Sequence, residues 1–117
     1  MFARPGLPGF DYVRATEPTQ VVEILKEHGK DVRLLMGGTD LFPNLRDGVF
    51  HPRLVVDLKQ MPGMRYLVFS PHGSLLVGAA VTMNALASHP DVRTHFSLLA
   101  GAANSVASFH IRNRATL

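Results

Sequence analysis

The sequence predicts an α/β fold that passes into α+β, and three observations carry that prediction. Residues 10–36 read as strand, helix, strand, which is the economy of a βαβ unit. The second of those strands runs directly into the pair Gly37–Gly38. From residue 66 onward the pattern becomes that of a hairpin followed by helices, with a soft boundary near residues 58–65.

Each element has its own local reason. Residues 1–9 hold two prolines and two glycines, which suits an extended arm. Phe10 to Val13 alternates aromatic and polar positions as a half-buried strand does. Pro18 is placed to be the first helical residue, with Thr16 or Glu17 as the cap. Val21, Ile24 and Leu25 then form a core-facing stripe, and Gly29 stops the helix. Val32 to Met36 is a buried strand. A helical turn over Leu41 to Leu45 ends near Gly48, with Asp40 able to cap it. Leu54, Val55, Val56 and Leu58, between Pro52 and Pro62, make a third buried strand. Tyr66 to Ser70 and Ser74 to Gly78, joined by Pro71–His72–Gly73, form the hairpin. Thr82 caps a helix over Met83 to Ser88. Asp91 opens a second helical stretch, in which Leu98, Leu99, Ala102, Ala103 and Val106 supply a small-residue apolar face.

Composition narrows the function classes. The chain has 117 residues, 46% of them hydrophobic, and no cysteine, which removes disulfide scaffolds, Cys-based zinc sites, iron–sulfur ligation and thiol catalysis. No apolar run approaches the roughly 20 residues of a membrane span, and Arg4 leads into prolines and glycines rather than a signal-like stretch. A cytoplasmic location is expected. The formal charge is +3, and the basic excess lies after residue 60, where four arginines face the single acid Asp91. Only Arg112–Asn113–Arg114 clusters, which argues against nucleic acid and suits a small anionic ligand. His28, His51, His72, His89, His95 and His110 show no close metal-ligand spacing. No Gly-x-Ser-x-Gly elbow and no paired carboxylates stand out, so no catalytic residue and no metal site are assigned.

The sharpest local feature is Leu34–Leu35–Met36–Gly37–Gly38–Thr39–Asp40–Leu41. A strand ending in two glycines exposes backbone N–H groups with no side chains in the way, a nest suited to phosphate or pyrophosphate. The same pair also reads as a tight strand-to-helix turn and nothing more. It is neither a Walker loop nor a Rossmann fingerprint.

Five segments taken in order carry a family resemblance. They are Leu7-Pro8-Gly9-Phe10-Asp11-Tyr12, Leu35-Met36-Gly37-Gly38-Thr39-Asp40-Leu41, Leu54-Val55-Val56-Asp57-Leu58, Val77-Gly78-Ala79-Ala80-Val81-Thr82 and Ile111-Arg112-Asn113-Arg114-Ala115-Thr116-Leu117. Together they resemble the N-terminal part of the FAD-binding (medium) subunit of molybdenum hydroxylases, the carbon monoxide dehydrogenase and xanthine dehydrogenase type enzymes. The resemblance implies a vanillyl-alcohol-oxidase/PCMH-type FAD-binding fold. Residues 1–58 would be the small α/β subdomain with the glycine loop, and residues 59–117 the truncated start of the second, α+β subdomain.

The resemblance also implies roles. Leu35, Met36, Gly37, Gly38, Thr39, Asp40 and Leu41 would cradle the FAD pyrophosphate, with Gly78, Ala79 and Thr82 near the cofactor. A second cofactor loop would begin over Ile111 to Leu117, including Thr116. Arg112 reads there either as a phosphate or carbonyl partner of the flavin or as an ordinary helix-end arginine. The family's second loop continues with Gly-Gly-Asn, so the chain is expected to bind FAD weakly or not at all by itself. The implied function is electron transfer, with FAD relaying electrons from iron–sulfur clusters to NAD or another acceptor. The implied partners are a molybdenum cofactor subunit and an iron–sulfur subunit. A truncated second subdomain would expose apolar surface such as the Leu98–Val106 face, so self-association is expected. The alternative is a non-redox nucleotide-binding or protein-interaction module that does not bind FAD.

Overall fold

The computed structural model describes residues 6–117 and falls into two compact units, one reaching to Pro62 and the other starting at Gly63. Residues 1–5 of the expected arm lie outside the described residues, and residues 6–10 carry no regular element. Among the described residues no helix is long and apolar enough to cross a membrane.

The first unit contains β1 (Asp11–Arg14), α1 (Pro18–His28), β2 (Val32–Leu35), α2 (Leu41–Arg46) and β3 (Leu54–Asp57). Its strands form one parallel sheet in the order β1-β3-β2, with Val55 opposite Tyr12 and Val56 opposite Leu34. The strand–helix–strand unit is therefore present, but its two strands do not pair, because β3 lies between them. Both neighbours of β3 are strands, and Val55 and Val56 are fully buried, as an unbroken apolar run in a parallel sheet requires.

The helices of this unit follow the expected bounds with three corrections, the first being that Glu17 stands at the N-cap of α1 with no side-chain cap bond. Pro18 does open α1, and Gly29 ends it at φ 54° with its N–H on the Leu25 carbonyl. The core-facing stripe is narrower than expected: Val21 is buried, but Leu25 is exposed. Asp40 stands at the N-cap position of α2 without capping it. A capping carboxylate needs an extended backbone to reach the next amides, and Asp40 is already helical at φ −101°, ψ −43°. Its carbonyl instead accepts from the Asn44 backbone N–H at 3.3 Å and the Asn44 amide at 2.9 Å.

The second unit opens with the antiparallel hairpin β4 (Leu67–Phe69) and β5 (Leu75–Val77), turned at Gly73 with φ 85°. Four helices follow: α3 (Met83–Ser88), α4 (Pro90–His95), α5 (Ser97–Asn104) and α6 (Phe109–Arg112). Val81, Met83, Leu86, Val92, Ala100, Ala103 and Ala115 make the core, with Leu86 and Val92 fully buried. The α4 helix starts one residue before Asp91, at Pro90, and the His89 ring nitrogen accepts from the Asp91 N–H at 3.2 Å.

The apolar face of α5 also differs from expectation. Leu98 is 87% exposed and Ala102 is exposed, whereas Ala100 and Ala103 are buried and Leu99 and Val106 half-buried. Residues three and four apart share a helix face, so the inward set is 99, 100, 103 and 106, and Leu98 turns away from it.

Thr82 caps α3 as expected, its hydroxyl accepting from the Ala85 N–H at 3.1 Å. Removing it with Thr82→Ala should cost about 1 kcal/mol. Urea unfolding should show a lower midpoint with an unchanged slope, and an unmoved midpoint would deny the cap any weight.

Candidate cofactor site

The glycine loop joins the end of β2 to the start of α2, at the carboxyl edge of the parallel sheet. In open α/β sheets that edge is where ligands gather. Leu35 is buried at the loop's root, and its carbonyl accepts from the Leu58 N–H, just past the end of β3, at 2.9 Å. Gly38 then turns with φ 79°, a conformation that favours glycine. A Cβ at Gly38 would lie 2.7 Å from the Phe42 ring and 3.1 Å from the Leu35 side chain. The Gly38 carbonyl accepts from the Phe42 N–H at 3.1 Å, which starts the first turn of α2.

This geometry leaves donors free. The N–H groups of Met36, Gly37, Gly38, Thr39 and Asp40 donate to no described residue. Met36, Gly37, Gly38, Thr39 and Leu41 are half-buried and Asp40 is exposed. Unpaired backbone donors at the rim of a sheet are costly unless water or a ligand takes them. The loop is chemically a set of backbone donors with the Thr39 hydroxyl beside it.

The same sheet edge holds a residue that sequence reasoning did not single out. Asp57, at the end of β3, is 2% exposed. Its carboxylate accepts from the Tyr12 hydroxyl and from the Lys59 N–H at 2.9 Å, and pairs with the Lys59 ammonium at 3.3 Å. The Tyr12 oxygen in turn accepts from Arg14 Nε at 3.3 Å. Burial pushes the Asp57 carboxyl up, but the Tyr12 and Lys59 hydrogen bonds outweigh it and hold the group below the ordinary carboxylate range. The available hint was a lone acid closing an apolar run with a lysine two residues on.

The remaining predicted residues lie in the second unit. Gly78 is buried, and a Cβ there would meet the Met64 carbonyl, 2.6 Å from its carbon, so close backbone approach accounts for this glycine. Ala79 is exposed beside it. Thr82 and Thr116 are brought together as an isolated antiparallel bridge, flanked by Met83 N–H on the Ala115 carbonyl at 2.8 Å and Leu117 N–H on the Val81 carbonyl at 3.2 Å. Arg112 directs Nε to the Asn84 carboxamide oxygen at 3.1 Å and Nη1 to the Val106 carbonyl at 3.0 Å. An open groove of about 810 Å³ runs beside these residues, with Thr82, Asn84, Arg93, Asn104 and Asn113 in its walls. Asn84 is the second functional candidate that sequence reasoning missed, since a single helical asparagine gives no pattern. Among the described residues no group of three or more His, Asp or Glu side chains is placed to hold a metal ion.

Comparison with known proteins places this geometry in a family. Residues 8–117 match the family described as FAD binding domain in molybdopterin dehydrogenase. The chain is 31% identical over 110 residues to the carbon monoxide dehydrogenase medium chain of Hydrogenophaga pseudoflava, covering 94% of this chain and 38% of that one. It is 31% identical over 105 residues to the xanthine dehydrogenase FAD-binding subunit of Escherichia coli O157:H7, covering 90% of this chain and 36% of that one. Among solved structures, the carbon monoxide dehydrogenase of H. pseudoflava aligns with a TM-score of 0.86 at 32% identity, over 94% of this chain and 38% of that one. Quinoline 2-oxidoreductase from Pseudomonas putida 86 aligns with a TM-score of 0.85 at 30% identity, over 95% of this chain and 38% of that one. The chain thus spans a little over a third of the length of these relatives. With the match running through both units and across the glycine loop, the chain belongs to the family of FAD binding domains in molybdopterin dehydrogenases.

Proposed function

We propose that this chain supplies the first part of a flavin-binding electron-transfer subunit in a molybdenum hydroxylase complex. The observation that carries the reading is the row of five backbone N–H groups, from Met36 to Asp40 at the carboxyl edge of the sheet, that have no acceptor among the described residues. A diphosphate is all acceptor, and backbone donors with one hydroxyl match it without a side chain to displace. The donor set therefore fits the pyrophosphate of FAD. In this reading residues 1–58 act as a small flavin-binding subdomain of the vanillyl-alcohol-oxidase type, and residues 59–117 open the second.

The protein's own work is binding and orientation. The Leu35 carbonyl, tied to Leu58, fixes where the loop leaves the sheet, and Gly38, whose missing Cβ leaves room for the Phe42 ring, sets the turn that carries the donor row. Thr39 adds a hydroxyl donor. Gly78, Ala79, Thr82 and Thr116 form the second contact region, held by the Thr82–Thr116 bridge. The redox chemistry supplied by bound FAD is relay, from iron–sulfur clusters on one partner subunit to NAD or another acceptor, substrate being oxidised at a molybdenum cofactor on another. That division of labour agrees with the lack of cysteine and of a local acid–base pair.

The test is a titration of the ¹⁵N-labelled chain with FAD, followed by amide resonances, which registers weak binding as well as tight. The Met36 to Asp40 amides should move with FAD and stay still with riboflavin, which lacks the phosphates. Gly38→Ala should blunt the response and cost about 1–3 kcal/mol of stability, since it combines a left-handed backbone with a Cβ against Phe42. If FAD moves amides elsewhere in the chain but none of these, the reading fails.

A further inference from the structure

We infer that Asn84 and Arg112 form a clamp that shapes residues 105–117, and that Arg112 is a positioning residue rather than a direct partner of the cofactor. Its weight in flavin binding rests on the reading above; the clamp itself does not.

The geometry is a two-way fork on one side and a hub on the other. Arg112 is half-buried, and its guanidinium reaches Asn84 through Nε and the Val106 carbonyl through Nη1. Asn84 uses both ends of its carboxamide. The oxygen accepts from Arg112, and the nitrogen donates to the Phe109 carbonyl at 3.0 Å and to the Asn113 side-chain oxygen at 2.6 Å. One residue of α3 therefore holds the first and last residues of α6 and the residue just after it, and Arg112 carries the hold on to the loop before α6.

What the clamp restrains is a strained stretch. Ala107 has φ 40°, the left-handed region that a residue with a Cβ rarely adopts. Such a conformation persists only where its surroundings over-determine it. Here Arg112 holds the Val106 carbonyl on one side, and on the other Ser108 accepts from the Ile111 N–H at 3.3 Å and gives its carbonyl to Arg112 N–H at 2.9 Å. Downstream, the Ala115 N–H returns to the Ile111 carbonyl at 2.8 Å, and Thr116 reaches its bridge with Thr82. The path of the chain from the strained loop to Thr116 thus passes through the clamp. A guanidinium satisfies Asn84 and Val106 at once because its donors are fixed in one plane, and a lysine ammonium has no such fork.

Native-state hydrogen exchange on the ligand-free chain tests this without any flavin. Asn84→Ala, Arg112→Ala and Arg112→Lys should each speed exchange of the Asn113 to Leu117 amides by about tenfold, as the loss of a charge-assisted bond does. The Asn84→Ala/Arg112→Ala double variant should be faster than either single but short of additive, because the two residues share one bond, and the α1 amides should be unchanged. If Asn84→Ala fails to fold, Asn84→Asp keeps an acceptor for Arg112 but loses both donor bonds, and should speed the same amides. Wild-type exchange in Arg112→Lys, or additive effects in the double variant, would overturn the clamp. With FAD, Asn84→Ala and Arg112→Lys should lose affinity together. An Arg112→Lys chain that binds like wild type would return Arg112 to the role of a simple charge. FAD that moves other amides but leaves Met36 to Asp40 still would defeat the flavin reading, while the exchange results would still decide the clamp.

Discussion

Gly78→Ala is expected to destabilise the second unit by about 2–4 kcal/mol, because overpacking against backbone cannot be relieved by turning a side chain. The new Cβ would press on the Met64 carbonyl and lie 3.0 Å from the Arg65 nitrogen. That carbonyl is already engaged, accepting from the Ala80 N–H at 2.7 Å, while Gly78 N–H donates to Tyr66 at 2.8 Å. Moving the chain apart would therefore break two bonds that extend the β4–β5 ladder. Gly101→Ala is the contrast: it lies within α5, and a Cβ there meets nothing within 4 Å. That change should be neutral or stabilising by up to about 1 kcal/mol. Urea unfolding followed by circular dichroism compares them, and a Gly78→Ala chain as stable as wild type would refute the close approach.

Asp57→Ala should cost about 2–4 kcal/mol, since it removes a buried acceptor that satisfies three donors. The pH dependence follows from the direction of its shift. The carboxyl ionises more readily in the folded chain than in the unfolded one, where an aspartate titrates near about 4. Its stabilisation is then fully present above that value and is lost as the pH falls through it toward the folded pKa. The urea midpoint of the wild type should fall between about pH 5 and about pH 3 more steeply than that of Asp57→Asn, which cannot ionise there. Parallel curves for the two chains would remove the linkage.

Much of the fold was legible where one residue type has one physical use. Pro18, Gly29, Gly73 and Thr82 start, stop, turn and cap the elements assigned to them. Helix faces were less legible: Leu98 looked like core because it is apolar, yet α5 packs through the small residues Ala100 and Ala103, which let α3 approach. Sheet order was not legible at all, since parallel pairing leaves no local mark on the sequence. At the candidate site the glycine loop was visible because missing side chains are visible. Asp57 and Asn84 were not, because each acts through partners that only the fold brings near: Tyr12 for one, Arg112 and Asn113 for the other.

The central place of β3 has a consequence for how the first unit comes into being. β1 and β2 exchange no ladder bonds with each other, so every ladder bond of that sheet waits for residues 54–57. A chain growing from its N-terminus carries two bare strand edges until Asp57 has emerged, and only then can both ladders close. The loop from Val32 to Leu54 is about half as long as that from Asp11 to Leu54, and halving a loop saves only about 0.6 kcal/mol in closure entropy. Neither edge gains a large head start. Both ladders of the sheet that carries the glycine loop thus depend on one strand, β3.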